Sequence, residues 1–177
     1  LWWYTSPRLV LFPGEFRISK RLLRYWEKTT IKISRDEDFA EVIKACAETR
    51  LQSGEETWIG EEMQQAYVQL HRMGYAHSIE CRLDGDLVGG LYGVALGKVF
   101  FGESMFSHVS NASKFALIEL VSCLKNMQFE LIDCQMTTDL LLSFGAKEIT
   151  GEEFQKHLRS SIKNITPSGY WNNDCKN

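Results

Sequence analysis

The sequence predicts an α+β fold, a mixed and mainly antiparallel sheet flanked by helices. Three observations lead there. Over about 37–73 apolar residues recur at helical spacing, whereas over 76–106 they fall into three strand-length runs. Asp84-Gly85 joins the first two runs, a strong signal for a two-residue hairpin turn. A further amphipathic helix and then a short apolar strand, 131–135, follow these runs.

In chain order, 9–12 read as a short strand closed by Pro13-Gly14, Ser19 caps a helix over about 20–28, and 31–33 are briefly extended. A helix from about 37 to 50 places Phe39, Val42, Ile43, Cys46 and Ala47 on one side. The next, about 60–73, carries Met63, Tyr67, Leu70 and Met73 on its apolar side and stops at Gly74. Strands are expected over 76–83, 86–96 and 98–106. Gly89, Gly90, Gly93 and Gly97 lie among them with no helix following, so they mark a bulge or a close backbone approach rather than a phosphate loop. Ser110-Asn111 starts a helix to about 126 that bears Phe115, Ile118, Val121 and Ser122. After the strand at 131–135 come a short helix over 138–144, a strand near 146–149 and a last helix. Thr150-Gly151-Glu152-Glu153 forms the capping box of that helix. No repeat, low-complexity stretch or linker interrupts this order, and residues 1–177 are expected to form one domain.

A composition of 44% hydrophobic and 24% charged residues is that of an ordinary globular protein. No run approaches the ~18 apolar residues a membrane span needs. Nor does a charged start precede an apolar core and a cleavage site, so a cytoplasmic protein with no membrane partner is expected. Leu1-Trp2-Trp3-Tyr4 is too apolar to stand in water, and either packs on the domain or continues a missing segment. Cys46, Cys81, Cys123, Cys134 and Cys175 are odd in number and scattered, which favours reduced thiols over a disulfide framework or a zinc site. His71, His77, His108 and His157 show no ligand spacing, so no metal is expected. Net charge is −3, yet residues 1–35 hold eight basic side chains against two acidic ones. Such a basic face on an acidic chain is either a solvated helix surface or an attractor for a polyanion.

Candidate chemistry sits where polar groups interrupt apolar strands. Leu131-Ile132-Asp133-Cys134-Gln135 offers a carboxylate and an amide two residues apart, on one face of a regular strand. Glu103 breaks the aromatic run Phe100-Phe101-Gly102-Glu103-Ser104-Met105-Phe106 in the same way. Burying such groups is costly without partners, so these positions are a site, a cap or a structural ion pair.

Three antiparallel strands, a helix and a further strand are the order of an acetyltransferase-like (GNAT) sheet, in which a V-shaped opening receives the acyl donor. That analogy is at the level of fold and assigns no chemistry. The chain also resembles one family closely. Leu1-Trp2-Trp3 with Ser6-Pro7-Arg8, Thr57-Trp58-Ile59, Ala76-His77-Ser78-Ile79-Glu80, the run Gly89 to Val94, and Phe100 to Ser107 match in order. Asn111 to Lys114 with Ala116-Leu117, Ile132 to Gln135, and Ser143 to Ala146 continue the match. Together these segments are similar to the bacterial leucyl/phenylalanyl-tRNA–protein transferases.

The resemblance implies transfer of Leu or Phe, with Met also considered, from aminoacyl-tRNA to proteins beginning with Arg or Lys, which marks them for degradation. The ester is already activated, so neither ATP, metal nor another cofactor is implied, and the enzyme is expected to be a monomer. Asp133, Gln135 and Glu103 fall at the reaction centre. Asp133 is expected to hold the Gln135 amide, and Glu103 to bind the aminoacyl amine or a ribose hydroxyl. Leu91, Phe100, Met105, Leu117, Leu120, Leu124 and Ile132 fall in the aminoacyl pocket. Trp58 is either a stacking platform for the terminal adenine or a core tryptophan. Arg17, Lys20, Arg21, Arg24 and Lys28 are the expected phosphate contacts. Two positions depart from the family: Leu120 stands where it tends to place an aromatic ring, and Leu140 replaces a histidine. Family members also carry a further N-terminal segment, absent here, that contributes a tryptophan. The rival readings are a CoA-dependent N-acetyltransferase, which wants a glycine-rich pyrophosphate cradle that Ser110-Asn111-Ala112-Ser113-Lys114 does not supply, and a non-catalytic tRNA- or N-terminus-binding module.

Overall fold

A computed structural model describes residues 6–52, 54, 58–164, 166, 169 and 171. The readings made on Leu1 to Tyr4, on Thr57 and on Cys175 lie outside the described residues. The chain runs β1 (Arg8–Leu11), a 3-10 turn (Pro13–Glu15), α1 (Lys20–Trp26), β2 (Lys32–Arg35), α2 (Phe39–Gln52), α3 (Glu61–Arg72) and β3 (Ala76–Leu83). It continues with β4 (Asp86–Leu96), β5 (Val99–Ser107), α4 (Ala112–Asn126), β6 (Leu131–Gln135), α5 (Asp139–Ser143), β7 (Lys147–Ile149) and α6 (Gly151–Ser161). This is the expected α+β class, and the seven strands make one sheet in the order β2-β3-β4-β5-β6-β1-β7. All pairings are antiparallel except β5 with β6.

Local signals account for most of the element ends. Ser19 accepts from the Leu22 N–H at 3.2 Å and starts α1. The Thr150/Glu153 capping box is present in full at α6. The start of α4 differs from expectation. Asn111 lies in the left-handed region at φ 69° and caps with no side-chain oxygen, while the Ser113 N–H is taken by Ser107 Oγ at 3.2 Å. The glycines of β4 do mark close approach: a Cβ on Gly89 would stand 2.4 Å from the Ala112 Cβ, so α4 lies directly on that strand.

The apolar side chains separate onto the two sheet faces as strand alternation requires. Leu91, Phe100 and Ile132 pack against α4 in the main core. Tyr92 and Phe106 face α2, and Val10, Val99 and Leu131 face Phe154 of α6. The apolar stripe of α3 is divided: Tyr67 and Leu70 pack, partly buried, against the α2-side core, while Met63 and Met73 are exposed. The thiol reading is corrected. Cys46, Cys81 and Cys134 are free, but Cys123 is disulfide-bonded.

What positions the site is the divergence of β5 from β6. They pair only from Val99↔Leu131 to Phe101↔Asp133, after which β5 runs on to Ser107 without β6 beside it. β6 itself ends two residues later at Gln135, so the V expected from the strand order would lie beyond Phe101↔Asp133.

Candidate active site

Two β-bulges build this site. Along β4 and β5 the register steps from Tyr92↔Ser104 to Gly93↔Gly102, which leaves Glu103 as the extra residue. Gly93 is required there, since a Cβ would meet the Phe101 carbonyl oxygen at 2.2 Å. Along β1 and β6 the register steps from Leu9↔Gln135 to Val10↔Asp133, which leaves Cys134 extra, and Gln135 turns into the left-handed region at φ 66°. A bulge breaks the period of two and re-aims the next side chain. The strand-face argument for Asp133 and Gln135 therefore does not hold as made, although the two do converge.

The manner of convergence also differs from expectation. Asp133, wholly buried, is gripped at both oxygens by Arg8, Nε to Oδ1 at 2.8 Å and Nη2 to Oδ2 at 2.7 Å. Its Oδ1 also accepts the Gln135 main-chain N–H at 3.0 Å. The Gln135 side-chain amide donates not to Asp133 but to the Gly102 carbonyl at 2.8 Å, and it hydrogen-bonds Glu103 as well. The reason is steric: a bidentate guanidinium and the main chain of the bulge already occupy the Asp133 oxygens. Glu103 also receives the Tyr67 hydroxyl from α3.

Electrostatics follow the same geometry. Burial pushes the Glu103 carboxyl above its ordinary 4.5 and the nearby Asp133 charge adds to this, while Tyr67, Arg8 and Gln135 oppose it. The Tyr67 hydroxyl is held well above its ordinary range by burial and by Glu103. Burial, with Asp133 beside it, pushes the Cys134 thiol up to about 12, so it stays protonated and unreactive.

Asp133, Gln135 and Glu103 are thus brought together, and Arg8 and Tyr67 join them. Sequence reading gave neither a role at the site: Arg8 stood among the basic side chains of residues 1–35 and in a family-matched segment, and Tyr67 in an apolar stripe. The ordered segment Ser6-Pro7-Arg8 was the available signal for Arg8.

Leu91, Phe100, Leu117, Leu120, Leu124 and Ile132 are all buried in the α4-side core with Met105 packed against them. None of these seven lines the cavities described here. Trp58 is 45% exposed and tilts against Tyr67 at 6.1 Å between ring centroids, so it is not a core tryptophan. Arg17, Lys20, Arg21, Arg24 and Lys28 are all exposed. Arg21 and Lys28 line a cavity of about 820 Å³ with Lys114 of α4, and Leu140 forms part of its wall. A second cavity, about 410 Å³, is lined by Glu103, Phe101, Val94, Leu96, Leu70, Met73 and Tyr75. No helix among the described residues is long and apolar enough to cross a membrane.

A sequence model of the leucyl/phenylalanyl-tRNA protein transferase family matches residues 10–159. The chain is 57% identical over 171 residues to a leucyl/phenylalanyl-tRNA–protein transferase of Desulfotalea psychrophila, covering 97% of this chain and 75% of that one. It is 51% identical to the protein of the same name from Nitrosospira multiformis, covering 97% and 73%. Among solved structures, a conserved protein of unknown function from Bacteroides thetaiotaomicron shares the fold at 10% identity and a TM-score of 0.51, over 92% of this chain and 57% of that one. On the family match and these identities, the chain belongs to the leucyl/phenylalanyl-tRNA–protein transferase family and is an aminoacyltransferase.

Proposed function

We propose that this single-domain protein joins Leu or Phe, and also Met, from the 3′ adenosine of tRNA to the α-amine of proteins that begin with Arg or Lys. The observation that carries the reading is the meeting of Asp133, Gln135 and Glu103 at two bulges beside the end of the β5–β6 pairing. Acting as a monomer in the cytoplasm, where aminoacyl-tRNA is made, it tags its substrates for N-degron-dependent degradation.

The acceptor amine loses one proton and attacks the ester carbonyl. The tetrahedral intermediate then collapses, the ester C–O bond breaks, and the 3′ hydroxyl leaves with a proton. No step needs ATP or a metal, because the ester is the activated species. What the protein supplies is alignment, worth several kcal/mol when reacting atoms are held close, and fixed dipoles around the developing charge. Gln135 is a very weak base. It positions the amine and conducts its proton, with the amide plane set by Gly102 and Glu103. Asp133 acts one step back: pinned by Arg8, it holds the Gln135 main chain in its unusual conformation. Glu103 binds the aminoacyl amine or a ribose hydroxyl.

The seven apolar residues beneath α4 receive the aminoacyl side chain through the opening, with Met105, the one only partly buried, as the adaptable member. Trp58 stacks on the terminal adenine, worth roughly 1–3 kcal/mol. Arg17, Lys20, Arg21, Arg24 and Lys28 meet the tRNA phosphates. The test is transfer of labelled Leu, Phe and Met from tRNA to an Arg-initiated peptide. Asp133→Asn and Gln135→Ala are expected to lower turnover by roughly 10²-fold or more, far beyond any loss of tRNA affinity. Wild-type rates in both variants remove these residues from the mechanism.

A further inference from the structure

The second cavity is built for something the reaction has not yet accounted for. Leu70 of α3, Met73 at its C-terminal end, Tyr75, Val94 and Leu96 of β4, and Phe101 of β5 surround about 410 Å³, with Glu103 the one charged side chain among the described lining residues. Met73 is 56% exposed and Leu96 42%. Large apolar side chains gathered in water around a hollow mark a binding surface rather than ordinary exposure. The apolar face of α3, whose Tyr67 and Leu70 pack only partly buried against the core, ends here. The cavity is continuous with the reaction centre, because Glu103 lines it and hydrogen-bonds Gln135.

Three substrate parts meet at that centre. The aminoacyl side chain is assigned to the opposite, α4-side face. The tRNA end carries phosphates, and the described lining offers them a carboxylate and no cation, the nearby Arg8 being held by Asp133. The acceptor polypeptide remains: its amine must reach Gln135, and its cationic first residue is compatible with a carboxylate at the rim. The volume lies in the range of sites that bury whole small ligands, so it exceeds the need of one side chain.

We infer that this cavity receives the acceptor polypeptide just behind its first residue and selects for an apolar side chain at the second or third position. This rests on the transfer reaction proposed above. An extended segment advances about 3.3 Å per residue and turns alternate side chains to one face, so one of these two positions faces the cavity and the other faces solvent.

The experiment scans Arg-initiated peptides with Phe, Leu, Gly or Asp at position two and, separately, at position three. Binding is read by fluorescence anisotropy without tRNA, and transfer by kcat and KM. Phe or Leu at one position is expected to bind roughly tenfold more tightly than Asp, with kcat nearly unchanged. Leu96→Glu and Met73→Glu, which put a carboxylate into the apolar lining, are expected to erase that preference, so that Phe, Leu and Gly peptides bind each variant within about twofold of one another. Equal affinity across the series at both positions, or a preference that survives both variants, overturns the inference. Peptides that bind with the preference but are never aminoacylated leave the cavity assignment standing and overturn the proposed reaction instead.

Discussion

Two buried carboxylate networks lie in the same sheet, and only one of them borders a described cavity. On β3, Glu80 is fully buried and accepts from the Ser78 and Ser34 hydroxyls and, at 3.5 Å, from the Glu37 N–H. Asp36 beside it takes His77 Nδ1 at 2.8 Å, the Ser78 N–H at 2.9 Å and the Trp171 N–H at 2.8 Å. The ladder runs unbroken from Ala76 to Cys81, with its bulge beyond that at Cys81/Arg82, and the two carboxylates are satisfied inside the protein, whereas His77 Nε2 and Trp171 Nε1 are buried with no hydrogen-bond partner among the described residues. On β5 and β6, by contrast, bulges at Glu103 and Cys134 break the alternation, and the carboxylate of Glu103 lies at the rim of a cavity. Burial pushes the carboxyls of Glu80 and Glu103 in the same upward direction. A perturbed carboxyl therefore does not by itself distinguish architecture from chemistry. Ladder irregularity next to an opening does.

The widest gap between the networks is expected on removing a partner. Arg8→Ala leaves Asp133 buried and uncompensated, which costs about 3–5 kcal/mol in denaturant unfolding. Turnover should fall steeply at the same time, because the Gln135 main chain loses its anchor. Glu80→Gln is the matched control. Its kcat/KM for transfer is expected to stay within about twofold, and a loss comparable to that of Arg8→Ala would break the comparison.

Next comes pH. The Glu103 carboxyl is raised above 4.5 in the folded protein. If its carboxylate is the working form, activity is complete above that raised value and is lost as pH falls through it. The acid limb of kcat/KM should then lie above pH 4.5, and Glu103→Gln should flatten it. The stability sign is the reverse. The folded chain holds this proton more tightly than the unfolded one, so stability falls as pH rises from 4.5 through the raised value. Glu80 has the same sign. Melting temperatures of Glu103→Gln and Glu80→Gln across this range should both lose part of that decline, while activity separates them.

Smaller effects test the flanking surfaces. Leu120→Phe adds a ring to the α4-side core, where Leu120 is buried, and should shift the kcat/KM ratio of Leu-tRNA to Phe-tRNA by up to roughly tenfold. An unchanged ratio makes position 120 ordinary core. Smallest of all, each neutralisation among Lys20, Arg21 and Lys28 should reduce the log–log salt slope of tRNA binding by roughly 0.7–0.9. A slope indifferent to all three removes the segment from Lys20 to Lys28 from the tRNA interface.

The sequence by itself determined the elements and the polar positions. Period-two and period-3.6 patterns, Asp84-Gly85, Ser19 and the Thr150/Glu153 box are read within a few residues of where they act, so β3, β4, α2 and α6 were legible. Asp133, Gln135 and Glu103 were visible as polar interruptions for the same reason. Only the tertiary structure decided how they meet. The short strand β1 is inserted between β6 and β7, and this brings Arg8 across 125 positions of sequence to Asp133. The apolar stripe of α3 is legible from its spacing, but only the fold decides that Tyr67 and Leu70 pack on the core while Leu70 and Met73 border an open cavity. Strand register, and the bulges that alter it, depend on which strands come to lie side by side. Partners that are distant in sequence set that, and no local pattern records it.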